Sequence, residues 1–114
     1  MKKITLIGAA LLGLLSAPVF AEEHADAALE HTNMAVQYGK AEHNSVLVTH
    51  AKEALTHAKV AVELANGESK THLEAAIKSL ESAIDHGKMK GKEHGKLATK
   101  AAEAAAAHIK AANQ

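Results

Sequence analysis

The chain has 114 residues, of which 13 are Lys or Arg, 13 are Asp or Glu and nine are histidine, so its formal net charge is zero at pH 7 when histidine is neutral. It contains no cysteine, which excludes disulfides, thiolate metal ligands and a covalently attached c-type haem. The balanced charge argues against a nucleic-acid partner and against a basic membrane-binding patch.

The N-terminal segment has the organisation of a secretory signal peptide. Lys2 and Lys3 precede an uncharged apolar run at positions 4–15, and small residues follow up to Ala21. The apolar run is too short to span a bilayer as a helix, and no cysteine follows it to carry a lipid. We therefore predict that residues 1–21 are removed and that the mature protein is periplasmic, without a membrane anchor.

The remainder, residues 22–114, is predicted to be a single all-α domain of four helices. It is rich in alanine, the strongest helix former, and the chain's one proline lies before it. The pair Asn66-Gly67 predicts the central turn, and Ser69 is a candidate N-cap for the third helix. Gly39 and Gly87 stand where glycine C-caps would end the first and third helices. The helices are expected at positions 23–38, 42–65, 69–86 and 92–112.

The two halves of this domain, residues 22–66 and 67–114, resemble each other. A shift of 48 positions aligns His24 with His72, and it aligns the tripeptide Tyr-Gly-Lys at positions 38–40 with His-Gly-Lys at 86–88. This self-similarity indicates a duplicated helical hairpin. Because short loops join antiparallel neighbours, we predict an antiparallel up-down-up-down four-helix bundle, and we expect it to be a monomer.

The histidines repeat every seven residues, or every fourteen, within each predicted helix. Such a register would arise by chance on the order of 10⁻⁴ of the time. Apolar residues follow each histidine slot by one, four and five positions, so the histidines lie at the flank of the buried stripe. The full set is His24, His31, His43, His50, His57, His72, His86, His94 and His108.

This spacing predicts metal sites between helices rather than along one helix. Residues seven apart on a helix are about 10 Å apart along its axis, too far to share an ion whose ligand bonds are about 2 Å. Folding each hairpin about its loop instead brings the slots face to face. The predicted pairs are His24 with His57, His31 with His50, Tyr38 with His43, His72 with His108, Ser79 with Ala101, and His86 with His94.

Two further side chains are candidate metal ligands. Glu53 lies three residues after His50 and four before His57, so it can reach either one on the same helix face. Met34 lies three residues after His31 and could add a soft thioether for reduced copper.

The predicted mature N-terminus offers a different kind of metal site. Cleavage after Ala21 would leave Glu22, Glu23 and His24 as the first three residues. The amine of Glu22, two backbone amide nitrogens and the imidazole of His24 could then bind Cu(II) or Ni(II) in a square plane.

The chain resembles a known family. The Ala/Lys/Glu-rich body, the heptad histidines, the repeated Tyr-Gly-Lys or His-Gly-Lys turn and the early histidine look like the periplasmic small metal-binding protein of ammonia-oxidising bacteria. The similarity covers the whole mature chain. It implies a small helical bundle that binds several divalent metal ions, copper foremost, as a scavenger or buffer. This sequence has fewer histidines than the family pattern, with Tyr38, Ser79 and Ala101 in slots where histidine would be expected.

Two classes of function remain open from the sequence. The first is a periplasmic metal-binding protein that takes Cu(II) foremost, or Ni(II), Zn(II) or Co(II), and acts as a buffer, scavenger or carrier. The second is a pH-responsive structural or chaperone-like bundle in which histidine protonation loosens a thin core. We expect no enzymatic activity, because the chain lacks a cysteine nucleophile, a GxSxG motif and a phosphate-binding glycine loop.

Overall fold

A computed structural model describes residues 16–113 of the chain, and this part consists of four α-helices joined by short connections. They are α1 (Ser16–Lys40), α2 (Asn44–Leu64), α3 (Gly67–Lys88) and α4 (Lys92–Ala112). Residues 16–113 contain no strand, so the predicted all-α class is confirmed. None of the four helices is long and apolar enough to cross a bilayer.

The helices form a four-helix bundle made of two hairpins. Helix α1 packs mainly on α2 and α3 packs mainly on α4, and the hairpins then meet through α2 with α3 and α1 with α4. In the first half of α1, Asp26 Oδ1 accepts a hydrogen bond of 2.9 Å from Asn113 Nδ2. At the other end of α1, Lys40 Nζ lies 3.5 Å from Glu103 Oε2, which is earlier in the chain than Asn113. Helices α1 and α4 therefore run in opposite directions.

The core consists mostly of alanine, with a few larger aliphatic side chains between the alanines. The positions one and four residues after each histidine slot are buried in almost every heptad, as the sequence pattern predicts. The larger aliphatics five residues after a slot vary, since Val48 and Ile84 are buried whereas Leu29 and Leu55 are only partly buried at the edge. The largest fully buried side chains are Leu47, Leu73, Leu80, Ile109 and Thr32. Small side chains at the interfaces allow the helix axes to approach closely.

The first helix begins earlier than predicted, at Ser16 rather than at position 23. The other helix ends lie within two residues of their predicted positions. The apolar run of the predicted signal peptide, at positions 4–15, lies outside the described residues. Removal of residues 1–21 stays a prediction.

The prediction that Ser69 caps α3 is wrong. Helix α3 begins at Gly67, and Asn66 holds the N-cap position without a side-chain hydrogen bond. The Ser69 hydroxyl instead donates a 2.6 Å hydrogen bond to the Ala112 carbonyl, one of the carbonyls left unpaired at the end of α4. Gly67 has φ 60°, a conformation that glycine adopts without strain, so the predicted turn at Asn66-Gly67 is confirmed.

Gly39 and Gly87, predicted as helix C-caps, lie inside α1 and α3 and are buried. That prediction is wrong because both glycines serve a close contact between helices instead of a chain reversal. A Cβ atom at Gly87 would lie 2.5 Å from Cγ2 of Val48, and one at Gly39 would overlap the side chains of Thr99 and Leu47. Only a residue without a side chain fits at these two crossings.

The neighbours of the two glycines follow the internal repeat. Gly39 lies against Leu47 of its own hairpin and Thr99 of the other hairpin. Gly87 lies against Ala98 of its own hairpin and Val48 of the other. A shift of 51 positions, which applies after the loop, relates Leu47 to Ala98 and Val48 to Thr99. The two hairpins are therefore related by an approximate two-fold axis, as a duplicated hairpin predicts.

The connection between α1 and α2 contains a glutamate in the left-handed region, since Glu42 has φ 64°. The His43 N–H donates to the Tyr38 carbonyl at 2.8 Å and the Glu42 N–H donates to the Gly39 carbonyl at 3.0 Å, which together form a Schellman motif. Glycine is usual at this position because a side chain there costs about 1–2 kcal/mol. The conformation places the Glu42 carboxylate 4.0 Å from Lys92 Nζ.

The close contact at Gly87 gives a prediction about stability. Gly87→Ala should lower the free energy of unfolding by about 1–3 kcal/mol, because the new methyl group must displace Val48. In an unconstrained helix the same change would raise it by up to about 1 kcal/mol. Urea unfolding followed by circular dichroism measures the difference, and adding Val48→Ala should recover part of the loss. A Gly87→Ala variant as stable as the parent would contradict the close contact.

Candidate metal centre

The histidines line the flanks of the two hairpin interfaces. Eight of the nine are partly buried, and His43 alone is exposed. Their heptad spacing keeps them on one face of each helix, next to the buried alanines and leucines. Packing thus restricts the imidazole rings while part of each ring stays in contact with solvent. This is the flank position that the sequence predicts.

Three histidine pairs bring their Nδ1 atoms together across a helix interface. Two nitrogens that bind one ion at about 2 Å with a tetrahedral angle lie about 3.3 Å apart, so each pair can share an ion with little movement. A fourth predicted pair, His72 with His108, has ring centroids 6.0 Å apart. The Nδ1–Nδ1 distances are 3.0–3.2 Å in the pairs His24–His57, His31–His50 and His86–His94.

The carboxylate of Glu53 joins the pair His31–His50. Its Oε1 atom lies 3.1 Å from His31 Nδ1 and 3.4 Å from His50 Nδ1. Among the described residues, these three side chains form a group whose potential ligand atoms all lie within 4.8 Å of one another. We call this group the central trio. Two imidazoles and one carboxylate are a donor set that Zn(II), Cu(II) and Ni(II) accept.

The sequence predicted only part of the environment of Glu53. It placed the carboxylate near His50 or His57 on the same helix, and the structure puts it beside His50. The contact with His31, across the interface on α1, was not predicted. Helical spacing fixes neighbours along one helix, whereas a contact between helices depends on how closely the two helices approach.

The first hairpin carries a continuous column of neighbouring rings that alternate between α1 and α2, ending at His43, the N-cap residue of α2. Successive ring centroids along it are 5.3, 5.9, 5.4, 5.6 and 6.2 Å apart. The sequence predicted the pairs, but it did not predict the contacts between successive pairs. Tyr38 takes the slot of a histidine and lies in the column with 38% of the residue exposed. In order, the ring column consists of His24, His57, His31, His50, Tyr38 and His43.

The second hairpin has two separate histidine pairs instead of a column. The rings of His72 and His108 are 6.0 Å apart, and those of His86 and His94 are 5.3 Å apart. Both pairings were predicted. Between them lie the slots at positions 79 and 101, which hold serine and alanine and interrupt the row of imidazoles.

The other predicted ligands do not gain a partner that the structure identifies. Met34 is partly buried on α1, and Glu22 is exposed on the same helix. The amino-terminal site needs backbone amides near Glu22 that α1 incorporates into its helix, so it requires both cleavage after Ala21 and unwinding of the new helix end. In the intact helix His24 faces His57. The ligand roles of Met34 and Glu22 stay predictions.

A helical bundle with paired imidazoles and an imidazole–carboxylate group between its helices has the features of a multi-site metal-binding protein. The model of the small metal-binding protein family matches residues 1–112, and the chain belongs to this family. No curated protein matches the chain. Family membership confirms the resemblance noted from the sequence, and together with the central trio it supports metal binding by this protein.

The geometry of the central trio predicts a specific effect of Glu53. Glu53→Gln should weaken the tightest Cu(II) site by about tenfold, the equivalent of about 1.4 kcal/mol, because it removes an anionic ligand while keeping the side chain's size. Competition titration against a copper chelator measures the affinity. Glu74→Gln, at an exposed glutamate of α3, is the matched control. Equal losses in the two variants would show that Glu53 acts only through net charge.

Proposed function

We propose that the protein is a periplasmic, non-catalytic protein that binds several divalent transition-metal ions, with Cu(II) the tightest, and acts as a buffer, scavenger or carrier. The donor set supports copper because affinities of nitrogen and oxygen sites for first-row divalent ions reach their maximum at Cu(II). Ni(II), Zn(II) and Co(II) should bind the same residues more weakly. The predicted signal peptide at residues 1–21 is the support for the periplasm.

The observation that carries this proposal is the way the two repeats differ. The repeat shifts relate the three members of the central trio to Ser79, Ala101 and Ala104 in the second hairpin. All three ligand positions are therefore occupied together in one hairpin and absent together in the other. Packing alone does not explain this, since the corresponding helices form the same bundle. A shared metal ion does, because one lost ligand removes the reason to keep the other two.

The exposure of the site suits a buffer more than a permanent metal store. The side chains of His31, His50 and Glu53 are 26%, 20% and 52% exposed. An ion at the central trio would thus remain in contact with solvent, and a chelator or a partner protein could reach it. Several such pairs on one small bundle allow one molecule to hold and release more than one ion.

A transplant of the central trio tests the proposal. The triple variant Ser79→His, Ala101→His, Ala104→Glu should bind one more Cu(II) equivalent than the parent chain in isothermal titration at pH 7.5, because it rebuilds the missing ligand set on the second hairpin. Ala104→Glu alone is the control and should add none. If the triple variant folds, as judged by circular dichroism, but binds no additional ion, the pairing of ligands across the hairpin is not what creates a site.

Metal affinity should also depend on pH. Imidazole must lose its proton to bind a metal, and its ordinary pKa is about 6.5, so protons compete with the ion at lower pH. Between pH 7.5 and pH 5.0 the affinity of a two-imidazole site should fall by roughly a thousandfold, or about 30-fold for each imidazole ligand. Cu(II) titrations at both values measure this. Equal affinity at the two values would rule out imidazole ligands.

The geometry also gives some support to the second hypothesis, a pH-responsive bundle. Imidazole nitrogens only 3.0–3.2 Å apart would repel each other if both rings of a pair became protonated, which would push the helices apart. Thermal unfolding at neutral pH separates the hypotheses. A metal-binding protein should melt at a higher temperature when Cu(II) is in excess, because the ion binds the folded state. The melting temperature of a purely pH-responsive bundle should stay the same.

A further inference from the structure

The end of the bundle that carries the α1–α2 and α3–α4 connections contains a cavity outside the histidine rows. Its volume is about 610 Å³, within the range of roughly 300–1,000 Å³ found for small-molecule sites. Gly39, Gly91 and Gly95 form part of its wall, and only at Gly91 would an added Cβ meet no other atom within 4 Å. Gly95 is buried against Asn44, so a larger residue there would also disturb the wall.

Charge around this cavity is strongly one-sided. Its charged lining residues are Lys40, Lys92, Lys96, Lys100 and a single acid, Glu42. Lys40 has a partner 3.5 Å away on α4, and Lys92 lies at the outer limit of an ion pair, 4.0 Å from Glu42. Within residues 16–113, Lys96 and Lys100 have no carboxylate within 4.0 Å. Two ammonium groups are thus left to bind an anion from solution.

The internal repeat shows that this charge is not a by-product of the duplication. The repeat shift relates Lys96 to Ser45 and Lys100 to Thr49 on α2. The symmetry-related face of the bundle therefore has neutral, shorter side chains where this cavity has its two unpaired lysines. The two unpaired lysines are a feature of one face alone, and the shared fold does not require them.

Glu42, at the rim of the cavity, has a backbone conformation that its residue type disfavours. A glutamate replaces glycine at a left-handed position, and strained residues of this kind occur preferentially at functional sites. Its carboxylate lies by Lys92, where it partly neutralises the lining when no ligand is present. An incoming anion would compete with it for that ammonium group.

We propose that this cavity binds a small polyanion carrying phosphate groups. Lysine ammonium groups bind phosphate oxygens as point charges, and several phosphates in one molecule match several lysines around one space. The lining holds no aromatic side chain, so nothing there would stack on a nucleobase. The recognised part of the ligand is therefore its chain of phosphates. This site shares no residue with the central trio and goes beyond the proposed metal-binding function.

The test uses the full-length mature protein freed of metal with a chelator, so that its outcome does not depend on metal binding. Isothermal titration with sodium tripolyphosphate should show one equivalent bound. The variant Lys96→Ser, Lys100→Thr, which installs the residues of the symmetry-related face, should weaken binding by about tenfold or more. Lys70→Ser, Lys78→Thr changes the net charge equally at exposed positions of α3 outside the cavity and is the matched control.

Three outcomes would overturn the proposal. Equal weakening in both lysine variants would mean that tripolyphosphate responds only to net charge. Absence of binding by the parent chain at millimolar tripolyphosphate would mean that there is no site. Tighter binding of citrate than of tripolyphosphate would reject phosphate as the recognised group. Glu42→Gln, which keeps the backbone conformation but removes the competing charge, should bind tripolyphosphate a few-fold more tightly, and weaker binding would contradict the role given to Glu42.

Discussion

The close approach of helices through glycine and alanine is the constraint on which the rest of the structure depends. A layer of side chains no larger than a methyl group separates much of each helix from its neighbour. Three pairs of histidines at the flank of that layer then face one another at 3.0–3.2 Å between Nδ1 atoms. Larger residues in the layer would move the helices apart and separate the imidazoles. The small core, which looks poor as a source of stability, is therefore what makes two-imidazole sites geometrically available.

The two hairpins resemble each other at their buried positions and differ at their surfaces. Their buried positions keep the approximate two-fold symmetry seen at Gly39 and Gly87. Outside the core the hairpins differ: the first carries the continuous ring column and the central trio, while the second has two isolated histidine pairs. Lys96 and Lys100 of the basic cavity likewise have no lysine counterpart in the first hairpin. Duplication supplied the scaffold, and the differences between its copies indicate which surface groups act together.

Much of the fold and of the histidine pairing could be predicted from the sequence, because a seven-residue period on antiparallel helices allows few arrangements of the side chains. Once the loops are placed, the period determines which histidines face each other and which positions are buried. The failures share one physical origin. The roles of Gly39 and Gly87, the partner of Ser69 and the contact between Glu53 and His31 all depend on distances between helices. A local pattern in one helix carries no information about those distances, so it suggested caps and same-helix neighbours instead.

The central claim is that imidazoles facing each other across a hairpin share a metal ion. The most direct measurement is anomalous X-ray diffraction at the copper edge from crystals of the mature protein loaded with Cu(II). The account predicts a peak at bonding distance, about 2 Å, from His31 and His50, with Glu53 as a third ligand. Copper found only at the amino terminus or on single surface side chains, with the central trio empty at full loading, would contradict it.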